Sequence, residues 1–464
     1  MSRKADIDLR EGPGDGESLL HPSNSPPNYL GRVGKGRTRP WTILIIAGEA
    51  SGDRHGADLV AEIKKLLPQA RFIGIGGEAL AAQGVKLLAQ AEDLAVVGLT
   101  EVVGRLPAVV QALKEVGRSL REERPDLAIL IDFPDFNFLV ARMAKWRGVP
   151  VMYYISPQVW AWRRQRVRTI ARRVDRMVVI FPFEEDFYRR QGVPVTFVGH
   201  PFMENLPDLP DRQILLKNWG LDPERLTLAL LPGSRGSEIE RHLPTMLTAA
   251  RLIRQVVSET QFLLPLAPAA PREMVEELME RFLEGGPGKA VPCPTPKTPS
   301  QPFKGLGAGV RERVEKLAAP GPLPQLAGLH VLQGQAYAAL RAAHLAVVAS
   351  GTVTVEAALA GTPTVIIYRL APLTFQVARR LIRVAHIGMA NLLAGKELFP
   401  ELIQDEFTAE TLARELLRWI KEPQRLEELR QGLTRVVERL GPPGASARAA
   451  RVALDLIGTY APPK

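Results

Sequence analysis

Residues 343–368 read AHLAVVASGTVTVEAALAGTPTVIIY. Leu345–Ala349 is an apolar run of strand length and Ser350-Gly351-Thr352 a small-residue turn. Residues 354–360 have helical character and stop at Gly361, with Pro363 just beyond; 365–368 is a second strand. The stretch is one βαβ unit whose helix starts in hydroxyls and glycine at the carboxyl end of the first strand. Amide N–H groups at a helix start lack helical partners and carry partial positive charge, which favours an anion such as a phosphate. Glu356, about one turn in, is within reach of a group extending past that phosphate, for example a ribose diol. Taken alone, the pattern equally describes a capped helix with a solvated Glu356.

The same grammar runs through the chain. Residues 41–47 form a near-continuous apolar run of the kind found in a buried parallel strand, feeding the small-residue turn Gly48-Glu49-Ala50-Ser51-Gly52-Asp53 and a helix at 54–67. Strands are predicted at 72–76, 96–98, 127–131, 151–155 and 177–180, with helices at 109–123 and 138–147 between them. The pattern pauses at Gly199-His200-Pro201 and the proline-rich 207–211. It resumes with strands at 226–231, 261–266 and 329–332, a helix near 241–256, and the opening unit. The prediction is an α/β protein of two doubly wound, Rossmann-like domains facing a cleft: 41–205 and 206–370. Helices at 373–384, 410–421, 424–439 and 445–458 follow, so that 371–464 closes the cleft. Residues 1–40 read as a disordered basic tail and 283–325, dense in Gly, Pro and Lys, as a flexible insertion with a short helix at 309–318.

Composition narrows the function classes. A chain of 464 residues is long enough for two cores, and 46% hydrophobic with 24% charged residues is ordinary for a soluble globular protein. No uninterrupted apolar run reaches the ~18 residues of a membrane span, and residues 1–17 lack the apolar core of a secretory signal. The single cysteine, Cys293, excludes an intrachain disulfide framework, fits a reducing cytoplasm and reads as incidental. One Cys and seven scattered His offer no zinc-ligand spacing. A net charge of +10 and a pI near 9.7 call for an anionic partner: nucleic acid, acidic phospholipid or a phosphorylated small molecule.

Several stretches can carry chemistry. Gly233, Ser234 and Gly236 in LPGSRGSE (231–238) permit close backbone approach to a phosphate, and Arg235 offers a guanidinium fork. The Walker spacing is missing from both turns, which disfavours nucleoside triphosphate hydrolysis. Asp132, Asp135 and Asn137 cluster past a buried strand; Asp132 is the candidate general base, while Asp135 suits a helix cap. Glu49 is a second candidate carboxylate, and Ser51 and Asp53 suit capping of the helix at 54–67. Tyr153-Tyr154-Ile-Ser-Pro-Gln-Val-Trp160-Ala-Trp162 runs into the arginine-rich 163–176, a composition suited to nucleic acid or to an anionic membrane surface. The helix at 373–384, with Arg379, Arg380 and Arg383, has the make-up of an amphipathic surface helix and tilts the choice toward a membrane. His200 and His386 carry no assignment.

Taken together, AGEASGD (47–53), IDFPDFN (131–137), YISPQVWAWR (154–163), FPFE (181–184), VGHP (198–201), LPGSRGSE (231–238), ASGTVTVEAAL (349–359) and NLLAG (391–395) resemble the bacterial lipid-A-disaccharide synthases, inverting glycosyltransferases of the two-domain B type. The ordered set spans residues 41 to about 455 and leaves out the tail and the insertion. The resemblance implies transfer of 2,3-diacylglucosamine from UDP-2,3-diacylglucosamine to 2,3-diacylglucosamine 1-phosphate. The products are a β-1,6-linked tetraacyl disaccharide 1-phosphate and UDP, made at the cytoplasmic face of the inner membrane.

In the implied reaction Asp132 removes the acceptor 6-hydroxyl proton, and the two helix starts with Arg235 take up charge on the departing diphosphate. No metal or other cofactor is expected, and no Asp-x-Asp pair follows a strand. Glu356 would hold the ribose, and Asn391 and Glu49 are carried over as polar groups of the site. Trp160, Trp162 and the helix at 373–384 would meet acyl chains and anionic headgroups. A homodimer is left open. The rival readings are a UDP-N-acetylglucosamine 2-epimerase and a basic nucleic-acid-binding protein; the latter ranks low because the basic residues form no known nucleic-acid module.

Overall fold

Strand β1 (Thr42–Ala47) is buried along its whole length, as an apolar run covered on both faces must be. The computed structural model to which it belongs describes residues 39–94, 101–162, 164–268, 270–283, 328–381 and 384–460. Several expectations lie outside these residues: most of the tail, the strand at 96–98, the insertion from 284 with its short helix, Cys293 and Arg383.

The chain divides into two compact units near residue 206. In the first, β1, β2 (Arg71–Gly76), β3 (Lys86–Gln90), β4 (Leu127–Ile131), β5 (Val151–Tyr154), β6 (Arg176–Val179) and β7 (Val195–Phe197) form one sheet. Its order is β3-β2-β1-β4-β5-β6-β7, and every pairing is parallel. In the second, β8 (Thr227–Leu231), β9 (Gln261–Leu266), β10 (Leu329–Gln333), β11 (Leu345–Ala349), β12 (Thr364–Tyr368) and β13 (Glu401–Ile403) run β10-β9-β8-β11-β12-β13, again all parallel. Both are doubly wound sheets, the predicted class. Each strand order reverses direction once, between β1 and β4 and between β8 and β11. There the connecting helices leave to opposite faces and open a crevice at the strand carboxyl ends.

The opening unit is as read: β11, helix Val353–Ala360, Gly361 in the left-handed conformation at its end, then β12. Two differences matter for function. The helix after β1 spans Ala50–Leu66, so Ala50 to Asp53 form its first turn rather than a loop before it. The terminal helices also do not act as one block. Helices Ala409–Lys421 and Pro423–Glu438 belong to the second unit, whereas Ala445–Tyr460 packs on Ala50–Leu66 of the first. The physical reason lies in residues 198–204: the His200 amide donates to Leu440 O at 2.8 Å, Arg448 donates to Val198 O at 2.8 Å, and the Ser446 amide to Glu204 at 2.7 Å. Among the described residues no helix is long and apolar enough to cross a membrane.

Candidate active site

In the first unit the chain leaves β1 at Glu49 and β4 at Asp132, the two strands flanking the switch point. Sequence brought these carboxylates forward as separate motifs; the strand order makes them neighbours. Asp132 and Phe133 both take left-handed backbone angles, φ 48° and 45°. For residues with a Cβ this costs roughly 1–2 kcal/mol each. Bonds from two elements offset it: Tyr153 Oη donates to Asp132 O at 2.6 Å, and Asn137 Nδ2 donates to Asp132 O at 2.7 Å and to Ile131 O at 3.1 Å. At about 1 kcal/mol net per bond the two sides are of similar size. Gly48 completes the turn, since a side chain there would overlap the Phe133 ring.

Asp132 is drawn from water by its surroundings and faces the charge of Glu49, and these two effects, burial first, push its carboxyl up to about 7. A carboxylate with that affinity for protons is matched to base work near neutral pH. Glu49 itself is exposed and precedes the helix Ala50–Leu66.

Other members of these motifs have structural duties. Asp53 does not cap its own helix. It is buried and accepts from the Gly77, Ala79 and Leu80 amides at 2.7, 2.9 and 3.3 Å, capping the short helix Glu78–Ala82. Asp135 is not at the cap position of its helix, which Phe133 holds; it lies in the first turn, exposed and paired with Arg166. Trp160, expected against acyl chains, is buried: its indole N–H donates to Glu184 at 3.0 Å and its ring packs edge-on to Phe183. The buried carboxyl group needs that donor, which turns the indole inward. The Trp162 side chain lies outside the described residues. His200 is buried between Phe181 and Phe202, where desolvation lowers it to about 3 and keeps it neutral.

In the second unit the switch point is flanked by the two predicted turns. Ser350, Gly351 and Thr352 follow β11, and the amides of Gly351, Thr352 and Val353 have no hydrogen-bond partner among the described residues. Gly233, Ser234 and Arg235 follow β8. Here only part of the loop presents amides that are not already bonded. The Ser234 and Arg235 amides bond to the Glu238 carboxylate at 3.1 and 3.4 Å, and those of Gly236 and Ser237 have no partner among the described residues. Gly233, at φ 125°, is required because a Cβ there would overlap Glu238. The Arg235 side chain is exposed, with Nη1 3.9 Å from Glu238. Glu356 is half-buried in the first turn of Val353–Ala360.

Asn391, expected as a polar contact to the donor, is instead saturated internally. Its amide donates to Phe399 O and Glu401 Oε1, both at 2.8 Å, and accepts from the Leu398 and Phe399 amides at 2.9 Å. Glu401 also accepts from the Ile387 and Gly388 amides. Ser350 Oγ donates to Ile387 O at 2.8 Å and the Met389 amide to Thr354 Oγ1 at 3.2 Å. Asn391 thus positions the 386–391 loop against the turn at 350–354. His242 escaped the sequence reading altogether. Buried in helix Gly236–Val256, it bonds through Nδ1 to Pro232 O at 2.7 Å and accepts the Arg369 amide at Nε2, 3.0 Å away. It thereby ties the turn after β8 to the end of β12. A lone helical His gives no hint of this in sequence.

Helix Pro372–Leu381 carries Arg379 exposed, while the side chain of Arg380 lies outside the described residues. No group of three or more His, Cys, Asp or Glu placed to hold a metal occurs among the described residues.

The sequence pattern of the lipid-A-disaccharide synthetase family matches residues 43–284 and 315–455. The lipid-A-disaccharide synthase of Syntrophus aciditrophicus is 44% identical over 415 residues, covering 89% of this chain and 97% of that protein. That of Geobacter metallireducens is 43% identical over 416 residues, covering 90% and 97%. Among solved structures, UDP-GlcNAc 2-epimerase from Neisseria meningitidis, bound to UDP-GlcNAc, superposes with a TM-score of 0.55 at 10% identity, covering 89% of this chain and 100% of that one. A glycotransferase of kitacinnamycin gives 0.53 at 14% identity, covering 90% and 100%. At such identities these two show the fold alone, whereas the sequence relatives span nearly their whole length: the chain belongs to the lipid-A-disaccharide synthetase family.

Proposed function

We propose that the protein transfers 2,3-diacylglucosamine from UDP-2,3-diacylglucosamine to the 6-hydroxyl of 2,3-diacylglucosamine 1-phosphate. The products are the β-1,6-linked tetraacyl disaccharide 1-phosphate and UDP. The observation carrying this reading is the Asp132 carboxylate beside Glu49 at the first sheet's switch point, raised to about 7 and so able to accept a hydroxyl proton. The freed alkoxide attacks the anomeric carbon opposite UDP, and the bond to the diphosphate breaks with inversion. The second unit supports the leaving group. The open amides of 351–353 and 236–237, with Arg235, are donors suited to its growing charge, and Glu356 is suited to the ribose hydroxyls.

The acyl substrates belong at a lipid surface. Exposed Arg379 on helix Pro372–Leu381 supports contact with anionic headgroups at the cytoplasmic face of the inner membrane.

The deciding experiment supplies purified protein with UDP-diacylglucosamine, with and without the 1-phosphate acceptor, and weighs the products by mass spectrometry. Disaccharide and UDP are expected only when both substrates are present. Conversion of the UDP sugar without acceptor into an isomer of equal mass, followed by proton NMR, would instead support an epimerase.

A further inference from the structure

We propose that Tyr153 and Asn137 are positioning residues for the Asp132 carboxylate, acting on it through its own backbone carbonyl. This rests on reading Asp132 as the base. Tyr153 lies wholly buried in β5, in register with Leu130 of β4, and its hydroxyl reaches past the end of β4 to Asp132 O at 2.6 Å. Asn137, in the first turns of helix Pro134–Trp146, is equally buried and gives both the Ile131 and Asp132 carbonyls a donor. Two donors from two elements therefore converge on one carbonyl, that of a residue whose backbone is left-handed.

The orientation of Asn137 argues against simple packing. Its Oδ1 is buried and has no hydrogen-bond partner among the described residues, so the amide faces the turn at the expense of its own acceptor. From the opposite side Gly48 makes room for Phe133, and a side chain at Gly52 would come within 3.0 Å of Asp132 Oδ2. Loss of either donor lets Asp132 and Phe133 relax toward negative φ, which swings the carboxylate away from Gly52 and toward water. The charged and titratable groups around it are Glu49 before helix Ala50–Leu66, Tyr153 on β5, and the Asp135–Arg166 pair beyond the turn.

The test measures wild type, Asp132→Asn, Tyr153→Phe and Gly48→Ala in the disaccharide assay from about pH 5 to about pH 9, with thermal melts of each. Gly48→Ala disturbs the same turn through Phe133 without touching the donors, and decides the matter should Tyr153→Phe fail to fold. Tyr153→Phe is expected to lower kcat by about 10- to 100-fold with KM for both substrates unchanged. The acidic limb of its pH profile should move to lower pH, because the released carboxylate is better hydrated. Gly48→Ala should repeat both effects. A folded Tyr153→Phe or Gly48→Ala protein with wild-type kcat and an unmoved limb, even one of lower melting temperature, overturns the proposal. Full turnover by Asp132→Asn would remove the base itself; an inactive Asp132→Asn beside a wild-type-like Tyr153→Phe removes only the positioning role.

Discussion

The indole N–H of Trp160 donates to the Glu184 carboxyl group across 3.0 Å, with both side chains buried. Burial pushes Glu184 up to about 8, against the opposing pull of the Trp160 and Phe181 N–H donors. A carboxyl whose folded pKa lies above its unfolded value holds its proton more tightly in the native state. Its stabilisation is complete below the unfolded value near 4.5 and is lost as pH rises toward about 8. Glu184→Gln should therefore flatten that part of the stability profile, leaving the variant more stable than wild type at the alkaline end by up to a few kcal/mol. Denaturant titrations across that window measure it.

Trp160→Phe removes the donor and keeps an aromatic ring, though a smaller one. It should cost roughly 1–3 kcal/mol of stability and leave sedimentation with anionic vesicles unchanged, since the indole is not at the surface. A loss of vesicle binding without a loss of stability would contradict this.

Asp132 must be unprotonated to act as a base, so kcat/KM should rise with pH through about 7. Glu49→Gln removes the neighbouring charge that raises Asp132 and should shift this limb to lower pH. Asp132→Asn should lower kcat by about 10²- to 10⁴-fold with UDP affinity intact, as isothermal titration can check.

Arg235→Ala should weaken UDP binding by roughly 1.5–3 kcal/mol, the range for a hydrogen bond to a charged group. Its exposed side chain makes a stability change small, so affinity and melting temperature should separate.

Arg379→Ala should weaken binding to anionic vesicles by about 1 kcal/mol, near fivefold, and a high-salt control should abolish the difference. Unchanged sedimentation would detach helix Pro372–Leu381 from the membrane.

Much of the fold was readable along the chain. Buried strands such as β1, β4 and β11 stand out because an apolar run covered on both faces needs no polar alternation. Edge elements escaped. β3, with its partly exposed KLLAQ, and β7, only three residues long, carry too little apolar contrast to be seen alone. The start of helix Ala50–Leu66 was missed because Gly, Ser and Asp favour turns and helix caps alike.

Linear order determined where the turns fall, that both halves are doubly wound, and that the motif set matches one enzyme family, since periodicity and Gly or Pro punctuation act over a few residues. Only tertiary structure decided which turns meet. The strand orders bring Glu49 beside Asp132, and the 233–235 loop beside 350–352, although about a hundred residues separate each pair in the chain. Folding likewise separated motif members that look alike on paper: Asp132 remains available for chemistry, whereas Asn391 and Trp160 are bonded inward to Phe399, Glu401 and Glu184. Hydrogen-bond satisfaction is settled among neighbours in space, and a buried polar group takes the partner that desolvation leaves it.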